Sequence, residues 1–355
     1  MPYKYSHTGV FANDISDHCV VAVVRQSKLP KSRPQIVFKR DFKHFCEQAF
    51  FHDLWDYNWS RIYLITDLEL AWNYFYDTFI KIINKHAPMC IFIVKCRNNP
   101  WFSPQRIILN NPKKRNALSL SMLESLRENI LADVDSDDLR VVILSAKGPV
   151  FSSGHDLKEL TSAQGREYHT KVFHTCSEVM TLIQDIPVPV IAMVNGVATA
   201  AGCQLVASCD IAVVTEKSTF ATPGVSVGLF CSTPAVAIGR VVPRKVAMEM
   251  LFTGTPISAH DALLHGLVSK VVPEEQLEEE TLAIAQRICK ASRPVVALGK
   301  ATFQRQMAQG RDAAYATASK VMVDNLALRD GQEGVRAFIE KRKPVWSHKA
   351  EKAHN

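Results

Sequence analysis

Phe151-Ser152-Ser153-Gly154-His155-Asp156-Leu157-Lys158-Glu159-Leu160 and Asn195-Gly196-Val197-Ala198-Thr199-Ala200-Ala201-Gly202-Cys203-Gln204-Leu205 are the two stretches that decide the fold. Each follows an apolar run, Val141-Val142-Ile143-Leu144-Ser145 before the first and Val188 to Val194 before the second. Continuous β-branched and aliphatic runs bounded by glycine or proline read as strands buried on both faces. Each stretch then leads into a helix. The first N–H groups of a helix have no intrahelical acceptor and sit at the positive end of its dipole. Two such starts aimed at one point can hold a carbonyl oxygen and the negative charge that develops on it. The glycines and alanines let a ligand approach the main chain.

Working outward, Arg106-Ile107-Ile108-Leu109 reads as a strand and Asn111-Pro112-Lys113-Lys114-Arg115-Asn116 as a loop. Ser119 caps a helix with an apolar stripe of Met122, Leu123, Leu126 and Ile130. Ile211-Ala212-Val213-Val214 is a further strand, and Glu278-Glu279-Glu280 reads as the acidic first turn of a helix. The alternation predicts an α/β fold. From about Pro294 to Val345 the pattern is helical, with Phe303, Met307, Val321, Met322, Leu326 and Phe338 exceeding what one helix can hide. Three parts follow: 1–104, 105–293 and 294–348.

The chain has 355 residues, 47% of them apolar, enough for a sizeable core. Net charge is +7, with the basic residues scattered, which reads as a solvated surface rather than a nucleic-acid face. Nine cysteines lie at irregular spacings without a metal-ligand pattern, so they read as reduced thiols and no metal site is expected. The uncharged stretch from Ile186 to Cys209 is interrupted by Pro187, Pro189, Asn195 and Gly196, so it reads as strand, turn and buried helix rather than a membrane span.

The two opening stretches resemble the two oxyanion loops of the enoyl-CoA hydratase (crotonase) superfamily. Further matches follow in family order: Ser208-Cys209-Asp210-Ile211, Phe220-Ala221-Thr222-Pro223, Leu251-Phe252-Thr253-Gly254 and Glu333-Gly334-Val335-Arg336-Ala337-Phe338. The resemblance covers about 105 to 348. It implies a spiral of repeated ββα units with a C-terminal helical region that associates as a homotrimer or hexamer. It implies an acyl-CoA thioester as ligand, coenzyme A being part of the substrate and no other cofactor being needed. The backbone N–H groups of His155 and Ala201 become the oxyanion donors. Lys113, Arg115, His155, Asp156, Leu157, Lys158 and Ala201 line the ligand, and Phe338 and Lys341 close the coenzyme A site, sometimes from a neighbouring subunit. Fatty-acid metabolism and the mitochondrion are the setting that the resemblance suggests.

The family's hydratases use two glutamates as acid and base, and here the matched positions are Gln204 and Gly224. Ordinary hydratase activity is therefore not expected. Binding without turnover, decarboxylation of a malonyl-type thioester and thioester hydrolysis remain open. His155, Asp156 and Glu159 are the other acid–base side chains within reach, Glu159 being expected to face solvent. Cys231 and Ser232 are candidates for the acyl pocket, Cys231 in a packing role. Asp210 reads as a buried structural carboxylate. One branch of the superfamily binds RNA through a lysine-lined helix, but the matching helix here carries only Arg127 as a basic residue.

Residues 1–104 differ in kind. They hold 20 of the 30 aromatic residues and only one of the 15 glycines. They contain one strand, Cys19-Val20-Val21-Ala22-Val23-Val24, and a partly helical region from Phe42 to His86. Ser16-Asp17-His18 and the sequence after it resemble the end of a LINE-type retrotransposon endonuclease and its linker. Only 17 residues precede His18, too few for the strands that would hold the metal. The segment is expected to be a non-functional appendage that packs poorly.

Overall fold

The computed structural model describes residues 20–25, 35–40, 45–86, 89–94 and 104–353. They fall into two compact units, one of residues 28–100 and one of the rest.

The larger unit is built on a six-stranded sheet. Its order is Val20–Arg25, Pro104–Asn110, Val141–Ala146, Val190–Val194, Ile211–Thr215 and Lys270–Val272. All neighbours are parallel except the first pair. Side chains of Val141–Leu144 and of Val190–Val194 are buried throughout, which is why these strands read as unbroken apolar runs. A second sheet stacks the short strands Val150–Ser152, Val197–Thr199, Thr219–Ala221 and Ile257–Ser258. A strand of the large sheet, a strand of the small one and a helix thus recur along the chain. The helices are Gly165–Asp185, Ala201–Ser208 and Ser232–Val241. This is the expected α/β spiral of ββα units.

The core fills the space between sheets and helices with Ile107, Leu123, Leu126, Phe151, Val179 and Phe220 among its fully buried side chains. Helix Leu120–Leu131 begins as expected, with Ser119 Oγ accepting the Met122 N–H at 3.3 Å. Leu277–Cys289 opens on the acidic triplet. Helices Arg293–Gln306, Arg311–Leu326 and Arg329–Ile339 form the C-terminal region. They leave Phe303, Met307, Met322, Leu326 and Phe338 exposed.

The expected boundary at 104 does not hold for the edge of the large sheet. Val20–Arg25 pairs antiparallel with Gln105–Asn110 along its whole length. A β-branched strand has unpaired N–H and C=O groups on both sides, and so does the first strand of the spiral; pairing satisfies both. Residues 28–100 are therefore inserted between two hydrogen-bonded strands. A chain starting at 101 should melt at lower temperature than the full chain and self-associate through the bared edge. Thermal melts followed by light scattering check this, and equal melting of the two would refute it.

Within the smaller unit, Gln35–Arg40 pairs antiparallel with Met89–Val94. Helices Glu47–Asp56 and Leu68–His86 pack through Phe50 and Phe79, whose ring centroids are 6.3 Å apart, and Phe79 stacks on Phe75 within the second helix. Asp53 accepts from Lys85 and lies 2.7 Å from His86 Nε2. Only Thr78 and Ile82 are buried along these helices, so the unit has a thin core. Ser16-Asp17-His18 lies outside the described residues.

Candidate functional site

The two loops meet. A Cβ on Gly154 would lie 2.8 Å from Ala200 Cβ, 3.0 Å from Thr199 O and 3.3 Å from Ala201 N. A Cβ on Gly202 would lie 2.4 Å from Ser152 O. Only glycine allows this approach, and Gly154 also takes a left-handed φ of 88°. Ala200, at φ 49° and ψ −119°, holds a conformation that L side chains rarely adopt. It is pinned by its N–H bond to Ala221 O at 2.9 Å. That kink turns the chain from strand into helix Ala201–Ser208. Neither the His155 nor the Ala201 N–H is taken up by a hydrogen bond among the described residues. Both lie beside the close approach of Gly154 to Ala201.

A third loop closes on the first. Ser153 N–H donates to Arg115 O at 3.1 Å, and Leu118 N–H to Gly154 O at 2.7 Å. Asn116 is the residue that sequence reading missed. Its buried amide donates to Lys147 O at 2.9 Å and Val150 O at 2.7 Å and accepts from Asn111 N–H at 2.8 Å. Ser152 Oγ donates to Asn116 O at 2.9 Å. An asparagine at a turn is the only sequence signal for this role. Lys113, Arg115 and Lys158 are exposed on the rim, and Leu157 is exposed beside them. Asp156 caps the short helix Leu157–Leu160 by accepting Lys158 N–H at 3.1 Å, and Lys114 Nζ lies 4.0 Å from it.

The His155 ring lies inward. Its Nδ1 is 3.2 Å from Leu118 O and its ring meets Phe173 edge-on at 5.1 Å. Facing a carbonyl, Nδ1 must carry the proton, which leaves Nε2 a bare acceptor, buried and without a partner. Burial pushes the imidazole below its usual range, against the opposing effect of the Leu118 bond, so it is neutral near pH 7.

Glu159 differs from expectation: it is half-buried, not turned to solvent. Its Oε2 accepts Leu120 N–H at 2.8 Å, satisfying the start of helix Leu120–Leu131. Burial, and after it the neighbouring Glu159 charge, push the Tyr168 hydroxyl up. The Leu120 bond gives Glu159 a positioning role.

Neither of the two positions expected to match acid–base groups carries a carboxylate: Gln204 is an amide and Gly224 has no side chain. Gln204 is buried at 4% exposure and its Oε1 has no partner. At Gly224 a Cβ would lie 2.7 Å from both Cys231 Sγ and Leu229 O. Cys231 thus fills the place beside Gly224. Ser232 is exposed. Asp210 is structural, as expected: it accepts from Val190 N–H at 2.8 Å and Lys300 Nζ at 2.7 Å. Phe338 and Lys341 are not brought to the loops. They are exposed on and just after helix Arg329–Ile339, which packs on the other two C-terminal helices. Among the described residues no cluster of His, Cys, Asp and Glu could hold a metal, and no helix is long and apolar enough to cross a membrane.

Known proteins are similar to this chain over the same region. The zebrafish (Danio rerio) enoyl-CoA hydratase domain-containing protein 3, mitochondrial, is 74% identical over 244 residues, which are 69% of this chain and 84% of that protein. The mitochondrial enoyl-CoA hydratase of Pongo abelii is 34% identical over 67% of this chain and 81% of its own length. The crystal structure of the human enoyl coenzyme A hydratase domain-containing protein 3 superposes with a TM-score of 0.68 at 70% identity, covering 68% of this chain and 96% of that one. Residues 105–349 match the enoyl-CoA hydratase/isomerase family, to which this chain belongs.

Proposed function

We propose that the chain binds acyl-coenzyme A thioesters in mitochondrial fatty-acid metabolism and holds the thioester oxygen on the N–H groups of His155 and Ala201. The observation that supports this reading is that two N–H groups without acceptors among the described residues flank the close approach of Gly154 to Ala201. Donors fixed in place before the ligand arrives stabilise an oxyanion without reorganising. Lys113, Arg115 and Lys158 supply charge for the phosphates of coenzyme A, while Asp156 and Leu157 shape the loop beside them. The relatives named above are mitochondrial by name, which supports that compartment.

Gln204 and Gly224 offer neither an acid nor a base near neutral pH, so the chain is not an ordinary hydratase. Binding without turnover is the second reading, favoured by Cys231, which closes the slot where a second carboxylate would stand. RNA binding ranks last, since Arg127 is already paired with Glu178 at 2.5 Å. The exposed apolar side chains of the C-terminal helices suit a homotrimer or hexamer, in which Phe338 and Lys341 reach a neighbour's coenzyme A site.

The test incubates the full chain in heavy water with saturated, 2-enoyl, 3-enoyl and malonyl-type CoA thioesters, each read by mass spectrometry and by calorimetric binding. Binding without hydration of the 2-enoyl thioester is the expected result. Water addition at a rate typical of enzymes, roughly 10 per second, would overturn the reading of Gln204 and Gly224.

A further inference from the structure

Arg140 stands just before strand Val141–Ala146, and Arg293 opens helix Arg293–Gln306. Both line one small cavity, whose other lining residues are Pro187, Val188, Ile288, Ala291 and Val296. The cavity lies where three pieces meet: the segment entering Val190–Val194, the end of helix Leu277–Cys289 and the start of helix Arg293–Gln306. No residue of the loops around Gly154 and Gly202 lines it, so the place is separate from the acyl-CoA reading.

The two guanidinium groups are unequally satisfied. Arg293 Nε donates to Leu139 O at 3.1 Å and its Nη2 to Val134 O at 3.0 Å, while its Nη1 lies 3.9 Å from Asp137 Oδ1. Arg140 Nη1 is buried with no hydrogen-bond partner among the described residues. A charged donor in that state is costly, and an acceptor brought to it removes the cost. Burial pulls the Arg140 guanidinium below its usual range, Cys289 opposes that, and the charge of Arg293 adds to it. Asp138 and Asp137 oppose it in turn, Asp137 from a side chain that is 65% exposed and screened by water. Arginine keeps its charge in proteins, so two cations share the cavity.

The cavity leaves about 10 Å³ for the centre of an occupant, which is room for one water-sized particle and too little for a phosphate. The side chains around it offer donors and no acceptor. A water would need acceptors for its own hydrogens as well. A small ion that only accepts, and carries negative charge, meets this lining. We propose that Arg140 and Arg293 hold a chloride ion here, which accepts from Arg140 Nη1 and offsets the repulsion between the two guanidinium groups. The ion ties strand Val141–Ala146 to helix Arg293–Gln306 and so fastens the first C-terminal helix to the spiral.

The NMR line width of chloride titrated against the full chain tests this, with ionic strength held constant by sodium gluconate, whose anion is too large for the cavity. The parent should show excess broadening that saturates and that bromide competes away. Arg140→Met removes the donor and should weaken chloride binding at least about tenfold. Ala291→Leu fills the cavity with both arginines in place and should do the same. It carries the test if the melting curve shows that Arg140→Met does not fold. The parent should also melt at higher temperature in chloride than in gluconate, a difference that each variant loses. Crystals grown in sodium bromide should give an anomalous peak within hydrogen-bonding reach of Arg140 Nη1. Absence of saturable broadening in the parent, broadening unchanged in a folded variant, or a cavity holding water in place of bromide overturns the proposal.

Discussion

Gly202→Ala is expected to lower acyl-CoA affinity or turnover by about a hundredfold, the loss that follows when reacting groups are displaced by about 1 Å. The added Cβ would meet Ser152 O at 2.4 Å, Ser152 Cβ at 2.8 Å and Ser152 C at 3.0 Å. These are mainly backbone atoms of the opposing loop, so no side chain can swing aside. The start of helix Ala201–Ser208 must move away from the 152–155 loop. On the proposed reading, the Ala201 and His155 N–H groups then lose their common target. Losing one oxyanion donor is worth about 3 kcal/mol in the transition state. Overpacking adds a stability loss of about 1–3 kcal/mol. Calorimetry and a thermal melt separate the two effects. A variant that binds acyl-CoA like the parent would show that the loop contact does not set the donor geometry.

Lys300→Met is expected to destabilise the protein by about 3–5 kcal/mol, the range for breaking one side of a buried ion pair. Lys300 is reached by no sequence motif, yet its ammonium is fully engaged. Nζ donates to Ile183 O at 2.7 Å, Val188 O at 2.9 Å and Asp210 Oδ2 at 2.7 Å, with the side chain 6% exposed. It ties helix Arg293–Gln306 to the end of helix Gly165–Asp185 and to the segment entering Val190–Val194. Methionine leaves two carbonyls and a carboxylate buried without their donor. Burial already pushes Asp210 above the usual carboxylate range, with Lys300 pulling the other way. Without the lysine its folded pKa rises further, while the unfolded value stays near that of a free carboxylate. A group raised on folding is most stabilising below its unfolded pKa and loses that contribution as pH rises through its folded pKa. The deficit of Lys300→Met should therefore shrink towards acid pH. Adding Asp210→Asn, which keeps an acceptor for Val190 N–H but removes the charge, should restore part of the loss at pH 7. Denaturant unfolding at pH 7 and pH 5 checks both, and a pH-independent deficit would place the damage in packing instead.

The parallel strands and the loops around Gly154 and Gly202 were legible because buried strands and close backbone approach each demand particular residue types. Glu159 was misread: a glutamate on a short helix looks solvated until Leu120 N–H is placed beside it. Asn116 and Lys300 were missed for the same reason, since all but one of their partners, the Asp210 carboxylate, are main-chain atoms that carry no identity in sequence. The partners of Lys300 are more than a hundred residues away in the chain, apart from Asp210.

Sequence by itself determined the α/β class, the order of strands and helices from 104 onward, the two candidate donor loops and the presence of Gln204 and Gly224 rather than carboxylates. These depend on residue type and local spacing, which the chain states directly. Tertiary structure alone decided three things. It brought Val20–Arg25 to the sheet edge across an insertion. It turned the His155 ring inward onto Leu118 O. It placed Cys231 against Gly224, so that the second acid–base position is closed as well as empty. Each is a contact between segments distant in sequence. Its energy comes from satisfying hydrogen bonds and filling space, and neither quantity can be read before the segments meet.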